Sequence, residues 1–194
     1  MSPKTLWFVG TTTLMLALDQ GTKVWTQQTF AERRPDIEVI PGFLSFTHAE
    51  NPGAAFSTLA DSEHRMYVFG IFAVTAVIAL VYMWWQLEPK ERFRAAAIGL
   101  ILSGALGNSI DRVYKQSVTD FVKVYWGPEG TVRSWLESTF HTNVWPIWNV
   151  ADAAILIGVA LFFIEPLLVR EKAADADPGE NPLSRPDPAD ARAS

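Results

Sequence analysis

Tyr67-Val-Phe-Gly-Ile-Phe-Ala-Val-Thr-Ala-Val-Ile-Ala-Leu-Val-Tyr-Met-Trp-Trp85 contains no charged residue. A helix needs about 20 mostly apolar residues to cross the hydrocarbon layer of a bilayer, so this stretch reads as a membrane span. Three other segments repeat the pattern with polar interruptions. Thr5 to Val24 is interrupted by Asp19 and Lys23, and Ala95 to Val113 is apolar until Asn108, Asp111 and Arg112. Asn149 to Val169 carries Asp152 at its start and Glu165 near its end. The apolar run from Thr5 to Leu18 has the length of a secretory h-region. No small-x-small cleavage site follows it, and Asp19-Gln-Gly-Thr-Lys23 is an odd sequel, so it reads as a retained helix. The four segments predict an all-α membrane protein with four transmembrane helices.

The chain has 194 residues, enough for one domain. That domain is expected over residues 1–170, with long outer loops at about 25–66 and 114–148. Residues 171–194 are rich in Ala, Asp and Pro and predict a disordered cytoplasmic tail. Loops and tail together dilute the mean hydropathy to only +0.12. A net charge of -5 gives no electrostatic case for nucleic acid. The absence of cysteine excludes a thiol nucleophile, disulfides and Cys-ligated metals. Only His48, His64 and His141 offer imidazoles, too scattered for a metal centre, so neither metal nor cofactor is expected.

Lys and Arg favour the cytoplasmic side. The short turn at 86–94 holds Lys90, Arg92 and Arg94, a density that places both termini inside. In the first outer loop, Ile37-Glu-Val39 and Phe43-Leu-Ser-Phe46 flank Pro41-Gly42 and predict a small β-hairpin. Val122 to Tyr125 is a further strand candidate, and Thr131 to Phe140 an amphipathic helix whose Trp135 and Phe140 suit the membrane interface.

With this topology, Asp19, Lys23, Asn108, Asp111, Arg112, Asn149 and Asp152 all fall at the outer ends of spans, and Asn51 and Asp120 in outer loops. Ionisable groups within spans are expensive and usually face a bundle interior or a wet cavity. Asp19 and Lys23, spaced i, i+4, suit an ion pair or a plain span-end anchor. Arg112 suits a carboxylate, a phosphate or a backbone carbonyl, and equally lipid headgroups. Asp120 lies in an apolar strand-like run and Asp152 one turn into an apolar helix. Either alone would serve as a capping acid. Together they could form a carboxyl pair sharing one proton: the ionised member activates water, and the protonated member polarises a carbonyl and protonates a leaving nitrogen. No HExxH motif or Ser-His arrangement competes. A proton-path transporter would instead spread its acids through the membrane depth, and a non-enzymatic adaptor leaves the two isolated acids without a use.

Five blocks, in this order, resemble the signal peptidase II family of bacterial lipoprotein signal peptidases. They are Asp19-Gln-Gly-Thr-Lys23, Asn51-Pro-Gly-Ala-Ala-Phe56, Gly104-Ala-Leu-Gly-Asn-Ser-Ile-Asp-Arg112, Val118-Thr-Asp-Phe121 and Trp148-Asn-Val-Ala-Asp152. The resemblance spans about residues 5–169. It implies an aspartyl endopeptidase of the bacterial inner membrane, with its active site at the outer face. Its substrate would be a diacylglyceryl-modified prolipoprotein, cut just before the lipidated cysteine, and a monomer suffices. It assigns catalysis to Asp120 and Asp152, and substrate binding or site support to Asp19, Lys23, Asn51, Gly53, Asn108, Arg112 and Asn149. The outer β-element at 37–58 would act as a cradle or lid. Three departures stand out: Ala105 where glycine is usual, Trp148 where Phe is usual, and a longer stretch between the two acids.

Overall fold

The computed structural model describes residues 1–31, 34–53 and 64–175. Five helices and three strands follow in the order α1 (Pro3–Thr29), β1 (Ile37–Ile40), β2 (Leu44–Asn51), α2 (Arg65–Gln86), α3 (Arg92–Lys115), β3 (Val118–Val124), α4 (Thr131–Phe140) and α5 (Val150–Asp175). The protein is thus mostly helical with one small antiparallel sheet, ordered β1-β2-β3. Among the described residues, two helices are long and apolar enough to cross a membrane, Met66–Gln86 and Arg92–Lys115. α5 runs to Asp175, past the start expected for the tail, and residues 176–194 lie outside the described part.

The first helix extends past its apolar run because its polar residues bond to their own backbone. Thr11 and Thr12 donate to the carbonyls of Trp7 and Phe8, and Thr22 and Thr26 to those of Leu18 and Thr22. A hydroxyl satisfied one turn back can be buried without a penalty for an unpaired donor. Thr11 and Thr12 also reach Ala96 O and Gly99 O, at 3.3 and 3.2 Å, stitching α1 to α3.

α3 is the central helix, packed against α1, α5 and α2. Small residues allow the close approach. A Cβ on Gly104 would strike the Ala151 carbonyl oxygen and Ile155, and one on Gly107 would strike the Asp19 carboxylate. At one end of the bundle Phe8, Leu80, Ala95, Ile98 and Leu102 form the apolar core, where Phe8 stacks on Trp84 with ring centroids 4.8 Å apart. There Lys4 donates to the carbonyls of Trp84 and Trp85 at the end of α2 and of Leu87 just past it. At the other end a polar set is buried among a few apolar residues: Asp19, Lys23, Thr26, Asn108, Asp111, Asp120 and Asn149. The outer faces show the reverse. Leu14 and Leu18 on α1, Ile71 and Ile78 on α2, and Leu156 and Phe163 on α5 are all exposed.

Candidate active site

The polar end of the bundle is built around a buried lysine. Lys23 is 1% exposed and bonds Asp19 at 3.0 Å, Asp111 at 3.2 Å and Asn108 Oδ1 at 2.9 Å. A buried cation survives only when its protons are paired, and here two carboxylates and an amide do so. Asp19 Oδ1 accepts from Ala151 N at 3.0 Å, closing one of the free amides in the first turn of α5. Asp111 Oδ2 accepts from Thr119 N at 3.0 Å, which docks the start of β3 onto the end of α3. α3 stops at Gln116, in the left-handed conformation at φ 63°, and the chain turns directly into the strand.

β3 begins four residues earlier than the expected Val122, so Asp120 lies inside the strand. It pairs with Ala49 of β2 on one side. On the other side Trp148 pairs with Val122, accepting from Val122 N at 2.8 Å and donating to Val122 O at 3.2 Å. The next residue, Asn149, caps α5. Its Oδ1 accepts from Asp152 N at 3.1 Å, while Asp152 Oδ2 accepts from Asn149 N at 3.2 Å, a reciprocal capping box. The Trp148 pairing therefore carries the first turn of α5, with Asp152, to the strand that holds Asp120.

Asn149 joins the two acids. Its Nδ2 donates to Asp120 Oδ1 at 2.6 Å and to Asn108 Oδ1 at 3.2 Å. Asn108 Nδ2 donates in turn to Asp152 Oδ1 at 2.8 Å. Because Asn108 Oδ1 faces Lys23, its amide group must point at Asp152. The second oxygen of Asp120 accepts from Asn51 Nδ2 at 3.0 Å. Asn51 is itself held by Gly53, whose N–H donates to Asn51 Oδ1 at 2.9 Å. Gly53 has φ 98°, and a Cβ there would strike the Phe69 ring, so glycine is required twice over. Burial pushes the Asp120 carboxyl up from 3.8 to about 6. Hydrogen bonds from Asn51 and Asn149 oppose that rise, the Asp152 charge adds to it, and Lys23 opposes it.

Arg112 lies over the Phe69 ring, 4.7 Å from its centroid, and donates Nη1 to Asn108 O at 3.3 Å. Its buried Nε has no hydrogen-bond partner among the described residues. Arg112 and Asn108 form the polar end of an otherwise apolar groove of about 670 Å³ between α2 and α3, with Phe69, Val77, Leu106 and Ile155 in its walls.

The structure thus brings together Asp19, Lys23, Asn51, Gly53, Asn108, Arg112, Asp120, Asn149 and Asp152. Residues 54–56 of the Asn51–Phe56 block, and the part of the expected lid beyond Gly53, lie outside the described residues. His48 is on the surface of β2, beside Glu50 at 2.9 Å. Sequence reasoning placed Asp111 among the polar residues at the outer ends of the spans but assigned it no role in the site, and it did not single out Thr119. Asp111 had a signal in its i, i+4 spacing to Lys115, which pairs with it at 3.0 Å. Thr119, which accepts from Gln27 and Lys115, had none.

A family model described as Signal peptidase (SPase) II matches residues 11–168. The chain belongs to the signal peptidase II family. A lipoprotein signal peptidase of Geobacter sulfurreducens is 41% identical over 83% of this chain and 90% of its own length. One from Listeria monocytogenes is 38% identical over 79% of this chain and 88% of its own. Two solved structures, each described as a bacterial membrane enzyme, superpose with TM-scores of 0.64 and 0.61 at 32% and 30% identity. They cover 82% and 89% of this chain, and 92% and 93% of their own. As a signal peptidase II, this chain is an aspartic-type membrane peptidase, and the stretch between Asp120 and Asp152 contains the whole of α4.

Proposed function

We propose that this peptidase removes the signal peptide from diacylglyceryl-modified prolipoproteins, cutting just before the lipidated cysteine with a water activated between Asp120 and Asp152. One observation carries the reading: a single asparagine, Asn149, binds both carboxyls beside the polar end of an apolar groove. The shared proton resides on Asp120, whose carboxyl burial pushes up to about 6. Asp152 is the base. It takes a proton from water as the oxygen attacks the scissile carbonyl carbon, and Asp120 gives its proton to the carbonyl oxygen. Asp152 then passes its proton to the cysteine nitrogen as the C–N bond breaks, and the second hydroxyl of the intermediate returns a proton to Asp120. Arg112 offers its unpaired Nε to a substrate carbonyl, and the signal helix lies along the α2–α3 groove. Neither metal nor cofactor enters this chemistry.

The inverted polarity of the bundle supports four spans, α1, α2, α3 and α5: polar groups fill the interior of one end, while large apolar side chains cover the outside. Both termini are then cytoplasmic, and the acids lie at the outer face. One domain contains the helices, the sheet and α4, and a monomer holds the complete site.

The test is purified protein in lipid, supplied with a diacylated prolipoprotein and with the same precursor lacking the lipid. Mass spectrometry should find one cut, before the lipidated cysteine, in the lipidated precursor only, unaffected by chelators or serine reagents. Equal cleavage of both precursors, or a cut elsewhere, would refute it.

A further inference from the structure

The stretch joining Asp120 to Asp152 carries an apolar surface that the site does not use. Four of the chain's eight tryptophans, Trp126, Trp135, Trp145 and Trp148, lie in it. Trp135 is 56% exposed, Phe140 60% and Trp145 68%. Along α4, Val132, Trp135, Leu136 and Phe140 share one arc, while Ser134, Glu137 and Ser138 occupy the opposite one. Behind the apolar arc a hollow of about 530 Å³ opens between α4 and the sheet, lined by Phe43, Trp126, Leu136, Phe140 and Trp145.

We infer that this arm is an interfacial anchor that seats in the headgroup layer of the bilayer. Its position supports a lipid occupant. Trp145 precedes the α5 cap, Asn149, by four residues, so it lies within about 14 Å of the helix end by chain reach. The Tyr125–Val144 and Val122–Trp148 pairings hold the base of the arm to the sheet at that end. The apolar outer face of α5 starts two turns further on, with Leu156 and Ile157. Its composition fits as well: exposed tryptophan and phenylalanine on one arc of a short helix are the side chains that partition into the interface. Its charges do not select a lipid. Arg133 pairs with Glu137 at 2.8 Å, and the arm has no basic cluster, so docking depends on apolar burial and not on anionic headgroups. The consequence reaches the site, because the arm links the strand bearing Asp120 to the helix bearing Asp152. Seated in the interface, it fixes the depth of both acids where a substrate emerges from the membrane. The inference rests on the proposed crossing of the bilayer by α5.

The chain contains no cysteine, so single cysteines can be introduced and labelled without a background. Val132→Cys on the apolar arc, Ser134→Cys on the polar arc and Leu156→Cys on α5 would each carry an environment-sensitive fluorophore. The full chain is placed at one copy per phosphatidylcholine nanodisc. Quenching by lipid-borne nitroxide is then compared with quenching by aqueous iodide. The label at 132 should be quenched several-fold more by the lipid nitroxide than by iodide, the label at 134 should show the reverse, and the label at 156 should respond to lipid alone. If 156 is lipid-quenched while 132 is as open to iodide as 134, the anchor is wrong and the proposed function stands. A label at 132 shielded from both quenchers would mean that protein covers the arc, which also overturns the anchor. A label at 156 indifferent to lipid would overturn both the span and the anchor.

Discussion

Replacing Asn149 separates the two tasks assigned to it, capping α5 and bridging the acids. Asn149→Ala removes a cap whose oxygen accepts from Asp152 N, a loss of about 1 kcal/mol. It also removes the 2.6 Å bond to the Asp120 carboxyl, for which about 0.5–1.5 kcal/mol is the usual worth while that carboxyl holds the proton. Asn108 Oδ1 is not orphaned, because Lys23 still donates to it. The expected loss of stability is thus about 2 kcal/mol, read as a lower midpoint of thermal unfolding in detergent. Asn149→Ser keeps a capping oxygen and should recover about 1 kcal/mol of that loss. It cannot reach Asp120, so turnover should stay depressed in both variants, on the order of 100-fold for an acid displaced by about an ångström. The pH profile gives a further readout. The Asn149 hydrogen bond lowers the Asp120 carboxyl from where burial alone would leave it, so without it the loss of activity at high pH should move to higher pH. Wild-type turnover in Asn149→Ser would refute the bridging role, and an unchanged pH profile would refute the assignment of the proton.

Other perturbations have equally definite outcomes. Lys23→Met leaves Asp19 buried without its cation, while Asp111 keeps Lys115, and should cost about 3–5 kcal/mol, measured by thermal unfolding. Gly107→Ala drives a methyl group into the Asp19 carboxylate and should destabilise by about 1–3 kcal/mol, with loss of the Asp19 bond to Ala151 N. The Asp120 carboxyl is near 6 in the folded protein against 3.8 in its ordinary state, so between those values the folded chain retains a proton that the unfolded chain has released. Stability should therefore fall as pH rises from about 4 to about 6 and level off above, a slope that Asp120→Asn abolishes. By the same proton, kcat/KM should decline as pH rises through about 6, and an activity flat from pH 5 to 8 would contradict the assignment.

Much of the fold could be read along the chain because it depends on local pattern. The charge-free stretch from Tyr67 to Trp85 lies inside α2, and the amphipathic period from Thr131 to Phe140 coincides with α4. β3 was harder. Val122 to Tyr125 reads as a strand and Asp120 as an acid in a strand-like run, but what joins them into one strand from Val118 is tertiary, the bond from Thr119 N to Asp111 and the pairing with β2. α1 outran its apolar segment because its threonines satisfy themselves one turn back, which a hydropathy pattern does not register. The candidate residues were legible as isolated polar groups in apolar runs, but their partnerships were not. Lys23 meets Asp111 across 88 residues of chain (111 − 23), and the meeting of Asp120 with Asn149 depends on one strand pairing at Trp148. Nothing in the local sequence encodes contacts at that separation.

The most direct test of the central claim is a single-turnover comparison of Asp120→Asn, Asp152→Asn and the double substitution on a diacylated prolipoprotein, at matched folded concentrations. Two carboxyls that act on one water form a unit, so each single variant should fall to background and the double should be no slower than either. Residual cleavage in one single variant, with losses that multiply in the double, would show two groups acting independently and would contradict the shared site.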